Sequence, residues 1–229
     1  MAETSTDART RHLVLLAAAP TITIELLNGF YLEPAYRFSP SLFWALDLLQ
    51  FVVVPLVSLW ALAKFGRVRP RDFGLRRFGK EYDFISLGIL FFYVTVAFIA
   101  SYKFGEIFGP DAAWLPPSKF GYGYAISRIP ELKPVLVLYL ALTAAFVEEI
   151  MFRGLPLLYL SKFESGSTFF GTYILTTSVL FGLIHWENGL REIFATFVVG
   201  VCTAFLYTKI QNLWPLVVAH AATDVVGFW

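Results

Sequence analysis

Charged residues are scarce in this sequence. They make up 15% of the 229 residues, whereas soluble domains carry about 25%, and 57% of the residues are hydrophobic. A soluble chain of this composition would expose large apolar patches and aggregate. The formal net charge of +1 lacks the basic excess that indicates a nucleic-acid partner. We therefore expect the lipid bilayer as the surrounding medium and no nucleic acid as a partner.

Cysteine is nearly absent as well. The single one, Cys202, excludes a disulfide within the chain, and its apolar surroundings predict a small packing residue. The zinc-protease motif His-Glu-x-x-His is also missing. The sequence therefore indicates neither a disulfide-stapled fold nor that class of metalloprotease.

The apolar residues fall into continuous blocks of roughly 20, the length of a helix that crosses about 30 Å of hydrocarbon. Within lipid, only helices and closed barrels satisfy every backbone polar group, and continuous blocks favour helices. We predict an all-α, polytopic transmembrane helical bundle, one integral membrane domain over residues 1–229, with about seven spans (six to eight). The predicted spans are 12–31, 41–63, 83–102, 134–158, 168–188, 191–208 and 212–229.

Basic residues indicate the orientation. Residues 64–80 hold seven of the eighteen Lys and Arg, so the positive-inside rule places this loop and the N-terminus in the cytoplasm. The loop could instead bind anionic lipid. Arg9 and Arg11 precede an apolar run, as in a signal peptide, but the run continues past Pro20 to Tyr31. We expect a retained first span.

Ionisable residues inside a membrane are costly unless paired or hydrated, and they are therefore functional candidates. The fourth span contains Glu148, Glu149 and Arg153. Glu149 and Arg153 are four residues apart and can pair on one helix face, whereas Glu148 points about 100° away. The alternative is a single packed ion cluster of all three.

Two further pairs with helical spacing follow. Phe181 and His185 lie four apart in the fifth predicted span, and His220 and Asp224 lie four apart in the seventh. Each pair alone could be packing or an inter-helix hydrogen bond. Together with Glu148, two imidazoles in a hydrated cavity could supply a general base, a proton carrier and an oxyanion stabiliser. Hydrolysis of an amide by activated water needs no serine or cysteine nucleophile.

Two other acids lie in predicted spans, without a constellation around them. They are Glu25 in the first span and Asp47 in the second. For both we favour an inter-helix hydrogen bond, or a position near the interface, over chemistry.

The three motifs resemble a known family, the CPBP (CAAX protease and bacteriocin-processing, or Abi) intramembrane endopeptidases. The family pattern is Glu-Glu-x-x-x-Arg, then Phe-x-x-x-His, then His-x-x-x-Asn or Asp. Here it reads EEIMFR at Glu148–Arg153, FGLIH at Phe181–His185 and HAATD at His220–Asp224, within residues 144–229. The resemblance implies a glutamate-type endopeptidase with a helical fold around a conical, water-filled cavity.

The resemblance also implies roles. Glu148 with His185 would activate the attacking water, and His220 with Asp224 would stabilise the oxyanion. Glu149, Arg153 and Phe181 would support them. Prenyl-protein proteases of the family tend to carry Asn where this chain has Asp224, so we expect Asp224 to orient His220 rather than to donate a hydrogen bond. No metal is expected as a cofactor; zinc, held by two histidines and a glutamate, is the alternative.

The expected partner is a peptide or protein substrate, lipidated or membrane-bound, in the bilayer. Two other functions stay open from the residues alone: a proton-coupled transporter, and a non-catalytic membrane scaffold or immunity protein. The predicted spans place Glu148 near mid-membrane but His185 near the outer end of its span. Because catalysis needs them close, we expect the fourth span to start deeper or the fifth to continue past Trp186.

Overall fold

The computed structural model describes residues 5–79, 82–115, 121–161 and 167–229, and the side chains of these except residues 5–8, 167 and 168. Within these ranges the regular structure is helical, without strands. In chain order the α-helices are α1 (Ser5–Phe38), α2 (Pro40–Leu48), α3 (Val54–Gly66), α4 (Phe84–Phe108), α5 (Tyr122–Ser127), α6 (Lys133–Glu149), α7 (Leu155–Leu160), α8 (Ser167–Leu183), α9 (Leu190–Ile210) and α10 (Trp214–Phe228).

The helices confirm the predicted helical membrane bundle. Five helical stretches are long and apolar enough to cross a bilayer: 9–38, 40–66, 84–108, 130–160 and 190–210. Two shorter apolar helices cover 169–183 and 214–228. These seven stretches follow the seven predicted spans in order. Large apolar side chains cover the outside; on α4, for example, Phe84, Phe92 and Ile107 are more than 60% exposed, as a lipid-facing surface requires.

Two of the long stretches contain a π-helical turn that the apolar pattern did not predict. Leu49–Val53 joins α2 to α3, and Ile150–Gly154 joins α6 to α7. Each turn comes just before a proline in the first positions of the next helix, Pro55 or Pro156. Proline has no N–H to donate and its ring crowds the preceding turn, and a local widening of the helix relieves both effects. The second turn follows Glu149 directly, so it shapes the end of α6 that carries the predicted motif.

Close helix packing brings the C-terminal motifs together. α9 packs against both α8 and α4, and α10 packs against α6 and α4. Small residues permit this approach: a Cβ on Gly200 of α9 would lie 2.8 Å from the Cα of Ser178 on α8. Packing through small residues replaces the hydrophobic effect as the basis of helix association inside lipid.

Contacts between connecting segments agree with an alternating path across the bilayer. At one end, Tyr207 donates to the Phe73 carbonyl at 2.9 Å, and the Leu213 amide donates to Gly74 at 2.8 Å. At the other end, Arg191 binds Asp111 by hydrogen bonds and an ion pair, which hold the pKa of that carboxyl below its usual range. The basic loop thus lies on the same side as the α9–α10 turn, apart from Lys80, which is outside the described residues. Its cytoplasmic orientation stays a prediction.

Candidate active site

A cavity of about 400 Å³ lies between α1, α4, α6, α10 and the α8–α9 turn. Glu148, His185, His220 and Asp224 all line it. Phe181 lines it too, so residues from all three motifs meet at one place. The residues come from helices far apart in the chain, and the helix packing described above brings them together.

Glu149 and Arg153 form the ion pair that their spacing predicts. Arg153 Nε lies 3.4 Å from Glu149 Oε2, and both side chains are at most 1% exposed. Arg153 also donates to the Thr203 hydroxyl of α9, at 3.0 Å from Nε and 2.6 Å from Nη2. The Tyr173 hydroxyl donates to the Arg153 carbonyl at 3.2 Å. Buried charges are stable only when paired and hydrogen-bonded. Arg153 meets this condition through Nε and Nη2, whereas its Nη1 has no hydrogen-bond partner among the described residues.

Phe181 packs between the ion pair and the imidazoles. Its ring lies 4.0 Å from the Arg153 guanidinium carbon, a cation–π contact. Its ring centroid is 5.2 Å from that of His185 and 6.3 Å from that of His220. The phenylalanine of the second motif therefore separates the buried charge from the cavity and supports both histidine rings.

His220 is surrounded by three carboxylates. Its Nδ1 lies 2.9 Å from Glu149 Oε1, which is a hydrogen bond in which Nδ1 donates, since a carboxylate accepts. Its Nε2 lies 3.7 Å from Glu148 Oε2 and 3.6 Å from Asp224 Oδ2. Asp224 was expected to orient this ring. In the structure the shortest contact comes from Glu149, 71 residues away, so the first motif holds the histidine of the third.

Glu148 differs from its neighbour in having no strong partner. The side chain is buried, at 6% exposure, and its Oε2 has no hydrogen-bond partner among the described residues. The separation of 3.7 Å from His220 is too long for a direct hydrogen bond. One oxygen of a carboxylate that lines the cavity is therefore buried and unsatisfied.

His185 lies in the turn after α8, which corrects both expectations about the spans. The fifth span does not continue as helix past Trp186: α8 ends at Leu183, and a 3₁₀ turn, Trp186–Asn188, follows. The helix containing Glu148 has nearly its predicted bounds. α8 has 17 residues, about 25 Å of helix, which is shorter than the roughly 30 Å of hydrocarbon. His185 Nδ1 is 2.9 Å from the Phe181 carbonyl and must donate to it, which leaves Nε2 available as an acceptor.

The two isolated acids of the sequence have different surroundings. Asp47 accepts a hydrogen bond of 2.8 Å from the Tyr139 hydroxyl, which joins α2 to α6 as expected. Glu25 is 1% exposed and lines the cavity, and neither of its oxygens has a hydrogen-bond partner among the described residues. Of the two expected positions of Glu25, the inter-helix hydrogen bond is therefore wrong. Only its tertiary neighbours reveal that this acid lines the cavity.

Across the described part of the chain, no group of three or more His, Cys, Asp or Glu side chains has an arrangement suited to a metal ion. Zinc would need at least three such protein ligands, with a water or substrate completing the site. The arrangement can instead place a water against a carboxylate and two imidazoles.

Comparison with known proteins agrees with the motifs. Residues 130–226 match a family model that is described as type II CAAX prenyl endopeptidase, Rce1-like. A candidate membrane peptidase of Bacillus subtilis (strain 168), YdiL, is 27% identical over 96 residues, which are 42% of this chain and 37% of that protein. The match thus spans little more than a third of that relative's length. No solved structure matches the chain significantly. Residues 130–226 of this integral membrane protein are thus similar to the CAAX prenyl endopeptidases, and this region contains all three motifs that carry the resemblance.

Proposed function

We propose that this protein is an intramembrane endopeptidase in which Glu148 and His185 activate a water molecule for attack on a peptide bond. The observation that carries the proposal is the unsatisfied Oε2 of Glu148, a residue that lines one cavity together with His185 and His220. A general base needs a free acceptor within reach of the reacting water, and Glu148 Oε2 and His185 Nε2 are such acceptors.

In this reaction the water oxygen bonds to the scissile carbonyl carbon while its proton passes to Glu148. The carbonyl oxygen becomes an oxyanion, and His220 is the donor nearest to Glu148 across the cavity. As an imidazolium, His220 donates from both nitrogens, to Glu149 through Nδ1 and to the oxyanion through Nε2. The proton then moves to the leaving nitrogen as the C–N bond breaks. Asp224, 3.6 Å from Nε2, helps to compensate the charge of the imidazolium.

We propose a peptide or membrane-bound protein as the substrate. The matched family is described by prenyl endopeptidases, but this chain has Asp224 where its prenyl-protein proteases tend to carry Asn. Assaying a prenylated peptide beside the same peptide without the lipid measures how much the lipid contributes to the cleavage rate. Cleavage of only the prenylated peptide would establish lipid recognition.

We also propose that the reaction requires no metal, with zinc as the alternative. Activity of the purified protein should survive exhaustive chelation, because the proposed base is a carboxylate and not a metal-bound hydroxide. Stoichiometric zinc in the purified protein, together with chelator-sensitive activity that returns on adding zinc, would contradict this proposal.

Two experiments test the function itself. Purified protein should hydrolyse peptides, which separates an endopeptidase from a proton-coupled transporter and from a non-catalytic scaffold. Proteomic comparison of membranes containing the wild type with membranes containing Glu148→Ala should then show substrate fragments only with the wild type. Absence of cleavage in both experiments, with folded protein present, would overturn the proposal.

A further inference from the structure

The cavity has a second polar side, away from the residues of the proposed reaction. Glu25 and Asn28 lie three residues apart on one face of α1, and Glu187 lies in the 3₁₀ turn Trp186–Asn188. All three line the cavity. We call these three side chains the α1 wall. The proposed reaction uses none of them.

Tight docking of the turn onto α1 builds this wall. Trp186 Nε1 donates to the Leu26 carbonyl at 2.8 Å, and the Trp186 ring lies 4.9 Å from that of Phe30. A Cβ on Gly29 would lie 2.8 Å from the Trp186 ring and 3.0 Å from Glu187 Cβ. Only glycine permits this approach, so the α1 wall is held in place before any ligand arrives.

The unsatisfied atoms of the α1 wall are all acceptors. Both oxygens of Glu25, Oε2 of Glu187 and Oδ1 of Asn28 are buried without a hydrogen-bond partner among the described residues. Glu25 is 1% exposed and Asn28 is 8% exposed. Buried polar groups are normally hydrogen-bonded, and a buried carboxylate is costly unless a cation or several donors bind it. The ligand that fits this wall therefore carries several N–H donors.

The charge of the cavity favours a cation. None of its lining residues is Lys or Arg. Six of them are acidic: Glu25, Glu33, Glu148, Glu187, Glu192 and Asp224. Glu33 pairs with Arg37 at 2.6 Å, and Glu192 accepts from Tyr102 at 3.0 Å. Glu148 and Asp224 lie 3.7 and 3.6 Å from His220 Nε2. Glu25 and Glu187, on the α1 wall, have oxygens without a hydrogen-bond partner among the described residues. A cleft lined by one sign of charge attracts ligands of the other sign.

We infer that the α1 wall binds a lysine or arginine side chain of the substrate, so that the protein selects peptides with a basic residue close to the scissile bond. The inference rests on the proposed function, because it names the substrate class of the same cavity. A cavity of about 400 Å³ has the size of a small-ligand site, so a side chain on the α1 wall belongs to a residue near the bond facing Glu148. An ammonium or guanidinium donates three to five N–H bonds, which suits the four unsatisfied acceptors.

The first measurement is the cleavage specificity of the purified protein on a proteome-derived peptide mixture. For the wild type we expect Lys or Arg to be enriched near the cut site by about tenfold, the worth of one charge-assisted hydrogen bond to a buried partner. Glu25→Gln, and separately Glu187→Gln, should remove the enrichment while neutral peptides are still cut. Asp47→Asn is the matched control, because Asp47 is a buried acid whose Oδ2 accepts a hydrogen bond from the Tyr139 hydroxyl and which does not line the cavity.

The second measurement does not depend on cleavage. In the Glu148→Gln background, acetyl-Ala-Ala-Lys-Ala-Ala-amide should raise the thermal unfolding temperature at concentrations where the peptide with Gln at the centre has no effect. Adding Glu25→Gln should abolish this difference, and adding Asp47→Asn should not. If the lysine peptide binds through Glu25 but the wild type cuts no peptide, the proposed function fails and the cation site stands. Equal binding of both peptides, or an unchanged preference for basic residues in Glu25→Gln and Glu187→Gln, would overturn the inference.

Discussion

Glu149 and Glu148 are adjacent in the sequence, and each has one oxygen without a hydrogen-bond partner among the described residues, yet their charged partners lie at different distances. On the Glu149 side, the carboxylate contacts Arg153 and His220, and Arg153 also donates to Thr203. On the Glu148 side, Oε2 has no hydrogen-bond partner among the described residues. The paired side is suited to hold helices and rings in place. The unpaired side keeps an acceptor free for water, as a general base requires.

The same contrast separates two acids of the N-terminal half. Asp47 accepts a hydrogen bond from Tyr139 through Oδ2, which joins α2 to α6, and only its Oδ1 is unsatisfied, whereas Glu25 is equally buried and both of its oxygens lack a partner. Burial alone therefore does not distinguish a structural acid from a functional one in this protein. A short hydrogen bond to a partner on another helix does: Asp47 and Glu149 each have one, at 2.8 and 2.9 Å.

Arg153→Ala should have the largest effect on stability. It leaves Glu149 buried with only His220 as a charged partner, and breaking a buried ion pair costs about 3–5 kcal/mol. We expect a large fall in the thermal unfolding temperature in detergent and a lower folded yield. Arg191→Ala is the control, because it breaks the exposed pair with Asp111 and should leave the unfolding temperature nearly unchanged. Equal stability of Arg153→Ala and the wild type would contradict a structural role for this side.

Thr203→Val should have a smaller effect of the same kind. Valine keeps the shape of threonine but removes the hydroxyl that accepts two N–H groups of Arg153. A lost hydrogen bond to a charged group costs about 1.5–3 kcal/mol, measured by thermal unfolding. The control is Thr208→Val on the same helix, which removes an exposed hydroxyl that donates to the Phe205 carbonyl. If both variants lose the same stability, Thr203 has no special part in holding Arg153.

Gly79→Cys should leave both sides of the cavity unchanged and tests the orientation. Gly79 is exposed in the basic loop, which the positive-inside rule places in the cytoplasm. We expect no labelling of the introduced cysteine by a membrane-impermeant reagent in intact cells, and labelling once the cells are opened. Efficient labelling of intact cells would reverse the topology.

Much of the fold was predictable because a bilayer imposes a simple pattern. Apolar blocks of span length predict helices, and the seven predicted spans recur as seven helical stretches in order. The three motifs could also be found, since ionisable residues four apart inside apolar blocks are conspicuous. The Glu149–Arg153 pair follows from helical spacing within a single segment.

The remaining features depend on tertiary contacts that spacing does not show. Glu149 reaches His220 only because α6 packs against α10, and His185 reaches the cavity because α8 ends early. The π-helical turn after Glu149 had one local signal, Pro156, which a straight-helix assumption ignores. For Glu25 the only signal in the sequence was an acid inside an apolar span, because its place in the cavity depends on how α1 docks.

The most direct test of the account compares Glu148→Gln with Glu149→Gln in purified protein, by peptide cleavage and by thermal unfolding. Glutamine keeps the size of glutamate but removes the negative charge and the basic oxygen. We predict that Glu148→Gln unfolds near the wild-type temperature and cleaves at least about 100-fold more slowly, the low end for general-base catalysis. Glu149→Gln should lose stability as well as activity, because Arg153 and His220 lose their shared carboxylate. Normal cleavage by Glu148→Gln, or an equal loss of stability in the two variants, would contradict the assignment of Glu148 as the base.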